Sequence, residues 1–564
     1  MIATLPEFYD LVVVGSGWFG LGAARAYIQS HPEQKIAVLE SNESVGGTWS
    51  EKRLYPGLKS NNMLGSYEFP DFPMSEEVYG VKSLSHIPGT VLNRYLTDFA
   101  KHYGIYERLQ LNSTVGLVES TESGWILTVA SPGGERKIRT KKLILATGLT
   151  STPNIPHYKD AKTFEKPFFH AKEFCKRADE LKGIQKAVVV GGAKSAYDVA
   201  YAMVESGVLV DLIIKPDSNG PVWIAPRHVT PLQHRIDTIL NVRALSWFSP
   251  CPWGHEDGFG IVRNFLEKTS IGRMLVKGFW SMMGNDVLQR NQYDDHPELQ
   301  KLKPWHSVFW IGSGLSILNY NTSFFDMVRN GKIRVHVENI DRLAPGKVVL
   351  ENGEELVADA MICSTGWKKE STITFSGLDE AGLGLPIDAK EQANLSLEYD
   401  AKVLKDFPIL ENQPILRTKP KKAAEPLRYY RFMVPSGMLA KRNFAFAGMI
   451  SSVSTAICAS TQGLWITAYF DDLLDREAKT QDEITNEIMM HTQWGKWRYP
   501  CGYGASLPDF VFEGIPYIDM LLKDMGIQNK RKGSFIKELI SPYCPEDYNG
   551  VLDEYKKKNG IFTK

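Results

Sequence analysis

Gly15, Gly17 and Gly20 stand in "LVVVGSGWFGLGAARAYIQ" at the spacing of a turn that a phosphate can enter. An apolar run, Leu11–Val14, precedes them and a helix-forming run follows. The first glycine suits a tight turn, the second lets backbone approach a pyrophosphate, and the third lets the helix lie close on the strand. The helix N-terminus then faces the negative charge. "KIAVLE" follows as a second strand ending in Glu40, a carboxylate placed to accept from a pair of ribose hydroxyls. A degraded copy lies further on in "KAVVVGGAKSAYDVAYAM", where Gly191 and Gly192 keep the turn, Ser195 stands in the opening helical turn, and Ala193 and Ala196 replace glycines. Its next strand, "LVDLIIK", ends in Lys215 instead of an acid. A lysine there attracts a 2′-phosphate that an acid would repel; an ordinary strand-end lysine is the other reading. We read the first turn as an FAD site and the second as an NADPH site.

Two such turns need two strand–helix–strand units to hold them, so the expected fold class is α/β, with two Rossmann-like dinucleotide-binding domains. Two further apolar runs end in Thr-Gly: Lys141–Gly148, and Ala358–Trp367, which contains Gly366. They read as the places where the chain crosses between domains. A later strand in "RNFAFAGMISSVSTAICASTQGLW" leads through Gly448 into a small-residue helix, a unit whose N-terminus can point at a flavin ring. The expected order is a first FAD part over 1–155, an NADPH domain over 156–340, a second FAD part over 341–480 and a C-terminal helical extension over 481–564. An insert at about 216–310 interrupts the NADPH domain. It is rich in Trp, Phe and Met and reads as a helical subdomain core, a lid over an apolar substrate, or an amphipathic patch touching a membrane surface.

The composition narrows the classes further. Lys plus Arg and Asp plus Glu are equal at 65 each, so no positive excess asks for nucleic acid. The basic runs Lys419–Lys422 and Asn529–Lys532 are short and read as solvated loops, with a partner or membrane patch as the other reading. Six scattered cysteines without a C-x-x-C fit neither a disulfide framework nor a metal site. They point to reduced thiols and a cytoplasmic protein. No signal peptide and no transmembrane run is read. Neither G-x-S-x-G nor H-E-x-x-H occurs, which leaves hydrolase and metal readings weak. Asp198, on the second helix, reads either as a cofactor-positioning acid or as part of an exposed face, and Arg227 as a second phosphate contact or a loop arginine.

With these pieces in order, the chain resembles the flavin-containing monooxygenases, a class that includes the Baeyer–Villiger monooxygenases, over nearly its whole length. "GGTW" sets Gly47, Thr48 and Trp49 after the first acidic strand end, as in the family. "SNNMLGSYEFPDFPM" resembles the segment that carries an active-site asparagine, and Asn61 falls on that position. "FEKPFFHAKEF" fits the family signature at Phe164, His170 and Phe174, with Lys166 where a glycine belongs. The resemblance implies that His170 is a linker residue near the nicotinamide cofactor; a packed interdomain histidine is the other reading. In "RALSWFSPCPWG" and "PDFVFEGIPYIDMLL" the chain is similar to a fungal group, many of them encoded with secondary-metabolite pathways. The implied chemistry is reduction of FAD by NADPH, addition of O2 to give a flavin (hydro)peroxide, and transfer of one oxygen to an apolar small molecule. Asn61 can hydrogen-bond peroxide oxygens and NADP⁺ without supplying a proton; a plain turn residue is its other reading. Phe174 stands where the Baeyer–Villiger branch has Trp, which favours epoxidation, hydroxylation or heteroatom oxidation over ester formation. Baeyer–Villiger insertion, or a flavin oxidoreductase or oxidase without oxygen transfer, are the alternatives.

Overall fold

Apolar runs that stop at glycine become parallel strands, because a strand covered on both faces has no polar side to show. The computed structural model describes residues 6–229, 234–368, 372–378, 382–385, 387–418 and 426–561. The basic run Lys419–Lys422 lies outside them. The first sheet is built on Glu7–Val14, which pairs in parallel with Ile36–Leu39 and with Gly134–Leu145. An antiparallel hairpin, Thr114–Thr121 and Gly124–Ser131, extends it, and Phe444–Phe446 adds in parallel to Gly134–Leu145. The second sheet is wholly parallel, in the order Phe168–His170, Ala360–Cys363, Lys186–Val190, Leu209–Ile214, Ile333–Val337. It therefore takes a strand from beyond residue 341, and the chain rejoins the first sheet at Thr374–Ser376.

The two crossings lie side by side. Thr152–Pro153 pairs antiparallel with Trp367–Lys368. The first-turn helix Trp18–Ser30 packs against the late helix Thr455–Phe470, and the contact is close because both carry glycine there. A Cβ on Gly22 would lie 2.5 Å from the Ala459 carbonyl oxygen, and one on Gly463 would lie 2.6 Å from Gly22.

The insert is helical, with its longest helices at Gly260–Lys268 and Ser270–Asn291. Its aromatic residues Trp253, Trp280 and Phe309 are buried against the C-terminal extension, so the inner side of the insert is a core. Charges join the two as well. Arg243 is fully buried and pairs with Asp519 and with Glu538, the latter at 2.7 Å. No described helix is long and apolar enough to cross a membrane.

Candidate active site

A cavity of about 530 Å³ opens where the first glycine turn, the Glu40 strand end and the late helix meet. Gly15, Gly17, Glu40, Gly47, Thr48 and Gly448 all line it. Gly15 holds φ +108°, and a Cβ there would collide with the Ala146 carbonyl oxygen. Gly20 packs beneath the turn, against the Gly15 carbonyl. Gly17 is different. Its backbone is extended, and a Cβ would meet nothing nearer than Gly47 Cα at 3.6 Å. The fold therefore leaves a gap beside Gly17 that a methyl would fill, at the N-terminus of helix Trp18–Ser30. That gap, with a second helix N-terminus at Thr455 on the wall, suits the pyrophosphate and ring of a dinucleotide.

Glu40 is buried, and its oxygens already accept from Ser16 N and Oγ at 2.9 and 2.8 Å and from Asn42 N and Nδ2 at 2.8 and 2.7 Å. A ribose would exchange with the mobile donors of that set, the Ser16 hydroxyl and the Asn42 amide. The Gly47–Trp49 turn is clamped from below by Asn93, whose Nδ2 donates to the Val45 and Trp49 carbonyls at 2.9 Å each. Arg53 and Lys172 bring two cations to the same cavity. Burial lowers the pKa of both, as it does when a cation gives up water.

A second cavity, of about 310 Å³, adjoins the first and shares Tyr67, Ser451, Ser452 and Thr455 with it. Asn61 is on its wall, in the strand Lys59–Met63 rather than in a turn. Its Oδ1 accepts from Ser316 Oγ at 3.0 Å, and its Nδ2 has no protein partner among the described residues. The strand is fixed from outside. Asp237, a buried insert residue, accepts from Met63 N at 3.0 Å and from Ser66 Oγ at 2.5 Å, while Arg235 balances its charge at 2.7 Å. Asn319 donates to the Lys59 and Ser60 carbonyls at 3.0 and 3.1 Å. Its Oδ1 accepts from Lys194 Nζ at 2.9 Å, so the helix of the second turn is tied to the Asn61 strand. Asp198 belongs to this joint, bonded to Lys194 and to Tyr320 OH, and lines the cavity.

The far wall comes from the end of the chain. Ser313 and Ser451, both on the cavity, are 2.5 Å apart through their hydroxyls. The Ser313 hydroxyl also donates to Asp509, whose carboxylate accepts from Ser313 N and Tyr503 N at 2.8 and 3.0 Å. Asp509 is fully buried near Glu513, and burial pushes its pKa up to about 6. A buried acid thus reaches the cavity through two hydroxyls.

The second turn keeps the backbone of the first: Gly191 has positive φ, and a Cβ on Gly192 would lie 2.7 Å from the Gly220 carbonyl oxygen. Ser195 is exposed in the first turn of helix Lys194–Glu205. Lys215 ends its strand half-exposed, with Nζ 3.1 Å from Asp217. Arg227 lies near Lys59 and His86, and its charge lowers both their pKa values after burial has done so. His170 lines neither cavity. Its Nδ1 accepts from Lys172 N at 3.1 Å, which fixes the proton on Nε2, and Nε2 donates to the Gly366 carbonyl at 3.0 Å. Burial holds its pKa below the usual histidine range, so the ring is neutral, edge-on to Trp367 at 4.9 Å. Phe174 is buried against Tyr55 and does not reach the Asn61 cavity.

Comparison with known proteins decides the family. Residues 12–245 match the pyridine nucleotide-disulphide oxidoreductase family, although all six cysteines here are free. An FAD-dependent monooxygenase of Aspergillus nomiae is 31% identical, covering 98% of this chain and 99% of its own. One from Pyrenophora dematioidea is 33% identical over 94% of this chain and 100% of its own. The chain belongs to the FAD-dependent monooxygenases. Among solved structures, the open form of cyclohexanone monooxygenase matches this monooxygenase with a TM-score of 0.61 at 14% identity, over 93% of this chain and 99% of that one. The polycyclic ketone monooxygenase of Thermothelomyces thermophila gives 0.61 at 15%, over 94% and 90%. Both share the fold.

Sequence reasoning singled out neither Ser316, Asp237, Asn319 nor Asp509. Only Asp509 carried a signal: an acid inside the apolar run "LPDFVFEG" has to find donors if that run is buried.

Proposed function

We propose that this monooxygenase oxidises NADPH and uses O2 to transfer one oxygen atom to an apolar small molecule. Substrate, O2, NADPH and a proton give oxygenated substrate, water and NADP⁺. Bound FAD supplies hydride acceptance and activation of O2. Gly15, Gly17 and Gly20 would hold its pyrophosphate, Glu40 its ribose, and the Gly47–Trp49 turn and Gly448 its remaining length. Gly191, Gly192, Ser195 and Lys215 would hold NADPH, and the NADPH unit then runs past residue 341 to Cys363. His170 is a positioning residue, holding the returning crossing at Gly366.

The observation that carries the reading is the common wall of the two cavities: a cofactor filling the larger one ends where the Asn61 cavity begins. The Asn61 amide, whose Nδ2 has no protein partner among the described residues, is held by Ser316 on the wall of the smaller cavity. Leu58, Leu240, Leu315, Ile317 and Val453 give the smaller cavity apolar patches among its polar side chains, and Ser313 with Asp509 behind it offers a route for a proton. We read the step as tailoring in secondary metabolism, in keeping with the fungal origin of the relatives, and as epoxidation, hydroxylation or heteroatom oxidation because Phe174 stands where the Baeyer–Villiger branch has Trp.

The test is stoichiometry with heavy-isotope O2. One labelled oxygen in product per NADPH consumed is the expected result; hydrogen peroxide equal to NADPH, with no labelled product, marks an oxidase. Asn61→Ala should keep its flavin and its rate of NADPH oxidation while product per NADPH falls about tenfold or more. Unchanged coupling returns Asn61 to a purely structural place. Lys215→Ala should raise the KM for NADPH about tenfold and leave that for NADH alone, since only NADPH carries the phosphate. Equal changes would remove Lys215 from the phosphate site.

A further inference from the structure

We propose that the outer face of the insert, with the short C-terminal helix Phe535–Ile540, is a docking surface for an anionic lipid membrane. Helix Ser270–Asn291 is apolar on both sides. Inward, Val276, Trp280, Met283 and Val287 are buried; outward, Ile271, Met274, Leu275 and Met282 face solvent, with Ile271 61% and Met274 63% exposed. The outward residues recur at helical spacing and share a face. Helix Gly260–Lys268 packs on this one and adds Ile261, 89% exposed, and Phe265. Phe535, Ile536 and Ile540 are exposed too, and the Phe535 ring lies 6.2 Å from Phe259 at the start of Gly260–Lys268. Three neighbouring segments thus turn apolar side chains outward together, which isolated surface residues do not do.

Charge selects the occupant. Arg273, Lys277, Lys530 and Lys537 lie on or beside these segments, and none has an ion-pair partner among the described residues, while Lys530 Nζ sits 4.8 Å over the Phe259 ring. Of the carboxylates on the same helices, Glu267 and Glu538 are buried and Asp286 is paired with Arg290 at 3.0 Å. An apolar face rimmed by cations that pair with no carboxylate among the described residues matches an anionic bilayer, where aliphatic and aromatic groups enter the acyl boundary and lysines meet headgroups. A second copy of the chain would set this cationic rim against itself. The surface lies on the membrane, as no described helix can cross one.

Flotation of the FAD-loaded full-length protein with lipid vesicles tests this. It should rise with mixed phosphatidylserine–phosphatidylcholine vesicles, less so at high salt, and far less with phosphatidylcholine alone. Met274→Glu with Leu275→Glu should abolish flotation. Lys277→Gln with Lys530→Gln should weaken it by roughly fivefold per charge, and both pairs should leave flavin absorbance and the melting temperature unchanged. Failure to float with either vesicle overturns the proposal, as does flotation indifferent to the Glu pair. Self-association in solution that the Glu pair dissolves would also overturn it, giving the face to a second copy.

Discussion

Replacing Gly17 with alanine should give a protein that folds normally and binds FAD poorly. The backbone at Gly17 is extended with φ −79°, which alanine adopts freely, and the added Cβ would rest at an ordinary 3.6 Å from Gly47 Cα. Nothing in the fold resists the methyl. The methyl does, however, occupy the gap through which a pyrophosphate reaches the helix N-terminus. Overpacking a site built for close approach costs about 3 kcal/mol at the upper end, a loss of affinity of about a hundredfold. Gly15→Ala and Gly20→Ala differ in kind, because each drives a Cβ into a backbone carbonyl and harms the fold with the site. Flavin retained per chain after desalting, read with the melting temperature of the apoprotein, separates the cases. A Gly17→Ala protein with wild-type flavin affinity would move the pyrophosphate away from this turn.

Arg243→Met should be among the most damaging substitutions outside the cofactor sites. The guanidinium is fully buried, donates to Asp519 and Glu538, and meets Tyr543 OH at 3.2 Å. Removing it leaves two carboxylates in the interior without their cation, a loss of about 3–5 kcal/mol. The pH dependence has a definite sign. Burial already raises the Asp519 pKa to about 6, with Arg243 opposing the rise. Without Arg243 it climbs further, so the folded variant holds a proton that the unfolded chain releases above its ordinary value of about 4. Stability of the variant therefore falls as pH rises from about 4 through the folded pKa, and its deficit against wild type is largest at neutral pH. Urea titrations at pH 5 and pH 8 check this. A deficit independent of pH would mean that packing, not charge, is what Arg243 contributes. Asp519→Leu added to Arg243→Met should restore part of the loss.

What could be read from the chain and what could not divide along sequence distance. The Gly15 turn, the Glu40 strand end and the copy at Gly191 are local patterns, because turn geometry and strand burial are set within a few residues, and the parallel strands of the two sheets follow from them. Asn61 was legible only through its resemblance to a family; its own neighbours suggested a turn, whereas pairing with His86–Pro88 draws it into a strand. The partners that hold it come from Asp237, Ser316 and Asn319, which meet it only once both sheets and the insert are in place. The C-terminal extension reads as packed helices, and helices at Gln481–Arg498 and Gly514–Asp524 are there. The strand between them, Asp509–Phe510, which joins Ser451–Ser452 and carries an acid to the cavity, is too short for any periodicity to announce.

The paired crossings have a mechanical meaning. Because the chain leaves the first sheet at Thr152–Pro153 and returns at Trp367–Lys368 as two bonded strands, the second sheet hangs from one hinge rather than two separate tethers. Such a mounting permits rotation about the hinge line and resists sliding. His170 at Gly366 and the Arg53 guanidinium 5.3 Å over the Trp367 ring stiffen it at the pivot. Far from the pivot, Lys194 and Asn319 grip the Asn61 strand, so any swing of the second sheet either carries that strand along or lets go of it. The orientation of the second sheet is thereby geared to the shape of the Asn61 cavity.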